Sequence, residues 1–205
     1  MADALHLQAM VSKARTLGAY AAAPLPARAV VVDERVTLKC RVPLCGHYGV
    51  NLMCPPNTPT VAETRAALAR YSDTLVVQQD IPLTQTAVDE VLAEREVEGH
   101  AEVGPGAYEE RLHESQNEFA AMMTALEAEA YKMGYRFAAA FAGGDCVLCD
   151  VCAGASGGQC TRPFEARPSM EAVGIDVVAT AEAAGLAVEV PAADHPRWTG
   201  LLLID

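Results

Sequence analysis

Aromatic side chains are scarce: one Trp, six Tyr and four Phe amount to 5% of the 205 residues. A core must therefore be built from Ala, Val, Leu, Ile and Met. The hydrophobic fraction of 51% supplies them and argues against wholesale disorder. Basic stretches are missing too. Asp and Glu number 27 against 15 Lys and Arg, a formal net charge of -12. An acidic surface repels phosphates, so neither nucleic acid nor an anionic membrane is an expected partner. A basic partner protein suits the net charge better.

No apolar run approaches the length of a membrane span. The opening MADALHLQAMVSKARTLGAY has no basic segment leading into an apolar one, so it does not read as a signal peptide. The expected location is the cytoplasm, where thiols stay reduced and clustered cysteines point to metal or catalysis rather than disulfides. G-x-G-x-x-G, the Walker loop, G-x-S-x-G and H-E-x-x-H are all absent. No residues therefore support a nucleotide, flavin or hydrolase reading. Internal repeats are also lacking, and the length fits a single domain spanning 1–205.

Helical spacing predicts helices over residues 3–17, 60–70, 84–98 and 107–133. The last carries Tyr108, Leu112, Phe119, Met122, Leu126 and Met133 as an apolar stripe, suited to a core or a dimer contact. Gly134 stops it. A further short helix is expected in IDVVATAEAAG, ended by Gly185. Strands are expected at about Ala29 to Val32 and in DTLVVQQ, YRFAAAFAG, LAVEV and WTGLLLID. Alternating strands and helices imply an α/β fold: one mostly parallel or mixed sheet flanked by helices.

Seven cysteines stand out against this background. Four lie in GGDCVLCDVCAGASGGQC, at the spacing C-x2-C-x2-C-x7-C. Cys146, Cys149 and Cys152 reproduce the opening of the bacterial ferredoxin run, C-x2-C-x2-C-x3-C-P, in which a short loop gives one thiolate to each of three irons. Structural zinc more often uses two separated cysteine pairs. The glycines around the run let backbone N–H groups approach a cluster's sulfurs. Cys160 follows a longer gap than the ferredoxin run has, and fold-back onto the same cluster is the preferred reading.

The upstream set, Cys40, Cys45 and Cys54, is spaced C-x4-C-x8-C in a loop whose prolines and glycines forbid a regular element. Two fully cysteine-ligated cubanes need about eight thiolates, one more than this chain has. One iron is then left to His47, a carboxylate, water or substrate, and an open iron is a Lewis acid. Basic residues flank the thiols: Lys39, Arg41, His47, Arg162 and Arg167. They stabilise an anionic cluster, receive an anionic substrate, or are simply solvated. Ser169 reads as an N-cap, with Glu171 favoured by the helix dipole. Capping outweighs catalysis for Glu171 and Asp176. His6, His100, His113 and His195 read as surface residues.

The blocks CRVPLCGHYGVNLMCPP and GGDCVLCDVCAGASGGQCTRPFEARPSMEAVGID resemble a bacterial and archaeal family of predicted metal-binding proteins. Together they bracket most of the chain. The resemblance implies cysteine-ligated metal, with iron–sulfur favoured, and carries the seven cysteines over as candidate ligands. It implies no activity.

The residues thus point to an iron–sulfur protein with two [4Fe–4S] clusters, acting in electron transfer with a redox partner protein. The two cysteine loops are expected to converge on one cluster site, each at the end of a strand. One alternative is an enzyme with an open iron on a three-Cys cluster, performing sulfur removal or lyase-type chemistry on a small molecule. Arg41, His47, Arg167 and Glu171 are its weak catalytic candidates. The other is a structural zinc-binding module.

Overall fold

A computed structural model describes residues 3–82, 107–188 and 196–205. The helix expected at 84–98, the connector GHAEVGPG, His100, His195 and the end of LAVEV lie outside them. Leu186 to Val188, the described part of LAVEV, forms no strand.

The first helix, α1 (Ala4–Thr16), begins where the Asp3 side chain accepts the Leu5 N–H. Strand β1 (Ala21–Pro26) comes next, followed by a single 3-10 turn over Ala27–Ala29. The strand expected at Ala29 to Val32 is therefore displaced. Val32 makes only an isolated bridge with Ile175. Pro24 and Pro26 are accommodated because β1 is an edge strand, hydrogen-bonded on one side only. Short helix α2 (Glu34–Leu38) leads into the upstream cysteine loop. Helix α3 (Val61–Leu68) leaves it through a capping box, Thr60 with Glu63. Strand β2 (Asp73–Asp80), helix α4 (Ala107–Lys132) and strand β3 (Ala139–Phe141) follow, then the downstream cysteine loop, helix α5 (Val177–Ala183) and strand β4 (Arg197–Ile204). No helix among the described residues is long and apolar enough to cross a membrane.

The sheet order is β1-β2-β4-β3, and every pair of neighbouring strands is antiparallel. This corrects the mostly parallel or mixed sheet. Helix α4 does carry the chain back so that β2 and β3 run in the same direction, as in a crossover unit. Strand β4 then inserts between them and pairs with both. The apolar runs TLVV and LLLI look like parallel-sheet strands because both faces are covered, and burial on two faces erases the alternation of a half-exposed strand. Leu75, Val77, Leu202 and Ile204 pack under α1 and α4, against Met10, Phe119, Met123 and Leu126. Val76, Leu201 and Leu203 face Leu68, Met170, Val173, Ile175 and Ala181. The result is a three-layer α/β/α sandwich.

The edge strand β3 is held by a carboxylate. Glu127 on α4 accepts the Ala140 N–H at 2.6 Å and pairs with Arg167 at 2.6 Å. Both side chains of the pair are largely buried, at 13% and 18% exposed. Removing one partner of such a pair strands the other charge. Glu127→Ala is expected to destabilise the fold by about 3 kcal/mol in urea titration. Replacing both Glu127 and Arg167 by Met should recover most of that loss.

Candidate metal centre

The downstream loop leaves β3 and returns to the same point. Ala142 N–H donates to Pro168 O at 2.9 Å, and Met170 N–H donates to Ala142 O at 3.2 Å. This parallel bridge of Ala142 with Ser169 closes the loop's neck. Ser169 Oγ accepts the Ala172 N–H at 3.1 Å. The segment forms one 3-10 turn, Glu171–Val173, whose N-cap position is Met170, in place of the helix expected to start at Ser169. Helix α5 has its own N-cap in Asp176, which accepts the Ala179 N–H.

Helix α4 grips the entry to the loop. The buried Gln116 amide donates to Asp145 O, and Trp198 Nε1 donates to Ser115 Oγ at 3.0 Å. Gly144 sits at φ +71° directly against Gln116, where a side chain would collide with that amide. Further along, Arg162 donates to Leu148 O at 2.9 Å and pairs with Glu165 at 2.6 Å.

The upstream loop follows α2, not a strand as expected, and forms a chain of turns from Cys40 to Asn57. It touches the downstream loop through a residue that the sequence reading passed over. Asn51 is 4% exposed. Its Nδ2 donates to Cys146 O at 3.0 Å, and its Oδ1 accepts the Met53 N–H at 2.9 Å. As an amide within the apolar GVNLM segment it was a visible signal, since a buried amide must be satisfied somewhere. Gly154 lies so close to Val50 O that a methyl group there would clash. His47 Nδ1 and Asp145 Oδ2 add a contact at 3.4 Å between the loops.

All seven cysteines are partly exposed and none forms a disulfide. Cys146, Cys149, Cys152 and Cys160 line one small cavity with Asn51, Leu52 and Arg162. The fold thus brings Cys160 back beside the other three despite its long gap. Leu52 N–H points at Cys152 Sγ, 3.4 Å away, and Cys149 Sγ lies 3.7 Å from Thr161 Oγ1. Burial raises the Cys146 pKa, partly offset by a hydrogen bond from the Leu148 backbone, with Cys160, Cys149 and Cys152 adding to the rise. Burial also pushes Cys54 up to about 12, reinforced by Asp145 and then by Cys40, Cys45 and Cys146. Cys40 is raised by burial, then by Cys45 and Glu171. The upstream thiols therefore lie within electrostatic reach of one another, and Cys54 and Cys146 link the two sets.

The weaker candidates are spread out. Arg41 is exposed, 5.8 Å from the Tyr48 ring centre. Arg167 is engaged by Glu127. Glu171 is exposed as a residue, but its carboxyl is hemmed in by protein. That desolvation raises its pKa, opposed by hydrogen bonds from its own backbone and Ser169 and by Lys39. His6 is tied to Tyr135 OH at 2.8 Å, and the exposed His113 lines a cleft beside the downstream thiols.

Among the described residues, no three His, Cys, Asp or Glu side chains converge on the position of a single metal ion. A cluster asks for wider spacing, because each thiolate sits on a different iron. Four thiols around one small cavity, with an amide N–H directed at a sulfur, form a donor set suited to a thiolate-ligated metal.

The family described as predicted metal-binding protein (DUF2284) matches residues 23–204. The chain belongs to that family. The match takes in both cysteine loops and all four strands except the first residues of β1. No curated protein and no solved structure matches the chain.

Two outcomes follow for the metal-free protein. Asn51→Ala leaves Cys146 O and the Met53 N–H without their partner, and is expected to cost about 2 kcal/mol in urea titration. Only the thiolate reacts, so mass mapping of iodoacetamide labelling at pH 8 should show Cys54 modified on the order of a thousandfold more slowly than a free thiol.

Proposed function

We propose that the chain is an iron–sulfur protein that holds two [4Fe–4S] clusters and works in electron transfer. The observation that carries this reading is the single cavity lined by Cys146, Cys149, Cys152 and Cys160. The ferredoxin-type spacing of the first three supports it. Cys40, Cys45 and Cys54 would hold the second cluster. Such clusters supply one-electron transfer when bound. The chain's own part is to order seven thiols on two loops, shield them, and aim N–H groups such as that of Leu52 at the sulfurs. Asn51 of the upstream loop donates to Cys146 O at 3.0 Å, and loops that meet in this way favour neighbouring clusters and rapid exchange between them.

A second reading makes the upstream set the site of chemistry. Three thiols leave one iron without a thiolate, and the carboxylates of Glu171 and Asp145 act electrostatically on Cys40 and Cys54 respectively. A cleft of about 450 Å3 lies between the loops on the downstream side, lined by His47, His113, Asp145, Cys146, Cys149 and Cys152 and by none of the upstream thiols. An open iron on a three-Cys cluster would be suited to sulfur removal or lyase-type chemistry on a small molecule.

Anaerobic purification followed by metal and sulfide analysis tests both. About eight irons and eight acid-labile sulfides per chain are expected. Cys149→Ala should lose about half of each. Zinc without sulfide would overturn the proposal in favour of a structural zinc module. A paramagnetic spectrum of the reduced protein that shifts with added small ligands would favour the second reading over the first.

A further inference from the structure

Two stretches of the upstream loop differ sharply in burial. Over residues 41–50 every residue is exposed except Cys45 and Tyr48, which are partly buried. Residues 51–55 are covered, and Asn51 is the most deeply buried of the polar ones at 4% exposed. This covered strap lies against the downstream loop. Leu52 N–H points at Cys152 Sγ, 3.4 Å away, and Asn51 Nδ2 donates to Cys146 O at 3.0 Å. Val50 O and the Leu52 side chain press on Gly154 and leave no room for a methyl group there. Asn51, Leu52 and Met53 line the same cavity as the four downstream thiols. The upstream loop thus supplies part of the wall of the downstream site and an N–H aimed at one of its sulfurs.

The strap is also tied to the upstream thiols. Cys54 follows Met53 directly, and its N–H donates to Asn51 O at 3.0 Å. Asn57 Nδ2 donates to the same carbonyl at 3.2 Å. On the other side Asn51 N–H donates to His47 O at 3.0 Å, two residues beyond Cys45. Cys45 and Cys54 therefore bracket the strap. A largely exposed loop with few buried side chains opens at low free-energy cost. Metal bound by Cys40, Cys45 and Cys54 would fix the loop at three separated points, and binding that requires the ordered chain stabilises it against the open one.

We propose that residues 51–53 are a shared strap, which completes the downstream metal site and is held closed by ligation of the upstream thiols. The inference rests on the reading that both thiol sets hold metal. The downstream set is then filled first, while the strap is open, and metal at the upstream set locks it in. Loss runs in the reverse order: downstream metal escapes once upstream ligation has failed or the strap has opened.

The test uses the anaerobically purified protein. Metal content is measured first, then release of metal to excess 4-(2-pyridylazo)resorcinol, a chromogenic chelator that reports iron and zinc alike. The phase missing from Cys149→Ala belongs to the downstream set. Asn51→Ala removes two hydrogen bonds and Gly154→Ala pushes the strap away, while all seven thiols stay in place. Each should release downstream metal about tenfold faster. Cys45→Ser and Cys54→Ser should lack upstream metal and also release downstream metal about tenfold faster. Asn51→Ala combined with Cys54→Ser should be no faster than Cys54→Ser alone, because both act through the strap. Thr74→Val removes a buried bond to Leu25 O in the sheet and should leave release unchanged. Downstream release that ignores the cysteine variants, or ignores Asn51→Ala and Gly154→Ala, would overturn the proposal. So would effects that multiply in the combined variant, or equal acceleration by Thr74→Val, since release would then follow general unfolding. Metal at fewer than both sets fails the reading and the proposal with it, whereas metal at both with unaltered release fails the proposal alone. A cysteine variant that does not fold is replaced by the other; if neither folds, Asn51→Ala and Gly154→Ala decide.

Discussion

Everything at the cysteine-rich end depends on one short bridge, in which Ala142 accepts and donates across the neck of the downstream loop. The loop has no core of its own, and its glycines and thiols bury little apolar area. A chain segment of that kind keeps one conformation only if it is tied to something rigid. The neck ties it to β3 and to the segment that carries Met170, Val173 and Ile175, all in the core. Gln116 and Arg162 add further ties, each to a backbone carbonyl rather than to a side chain. Carbonyl anchoring leaves the thiols free for ligation.

The upstream loop is held at second hand. Asn51 transfers the order of the downstream loop to it by spanning from Cys146 O to the Met53 N–H. The close pass of Val50 over Gly154 makes the same connection sterically. Bringing thiols together has an electrostatic consequence: burial and mutual proximity raise Cys54, Cys40 and Cys146. Neutral thiols tolerate such crowding, whereas thiolates need a cation. The metal-free chain therefore favours protonated thiols, and metal binding must release those protons. Affinity accordingly weakens as pH falls.

Much of the fold was legible wherever the determining forces are local. Periodicity located α1, α3, α4 and α5, and β2 and β4 lie where the apolar runs stand. Gly134 and Gly185 end their helices in the left-handed conformation that their positive φ requires. Strand β1 was missed because Pro24 and Pro26 read as loop residues, and only the edge position excuses them. Short α2 was missed because five residues carry too little periodicity to recognise. The parallel sheet was wrong for a nonlocal reason: β4 comes last in the chain and inserts between two strands already formed.

The same division holds at the site. Short-range spacing keeps residues together, so the sequence by itself determined that Cys146, Cys149 and Cys152 lie in one loop and that a thiol set stands upstream. The return of Cys160 and the junction of the two loops were decided by the tertiary structure alone. These features depend on contacts such as Asn51 with Cys146, made between residues 95 apart in the chain. Spacing encodes how a loop can wrap around a ligand. Only packing against a common scaffold decides which loops meet.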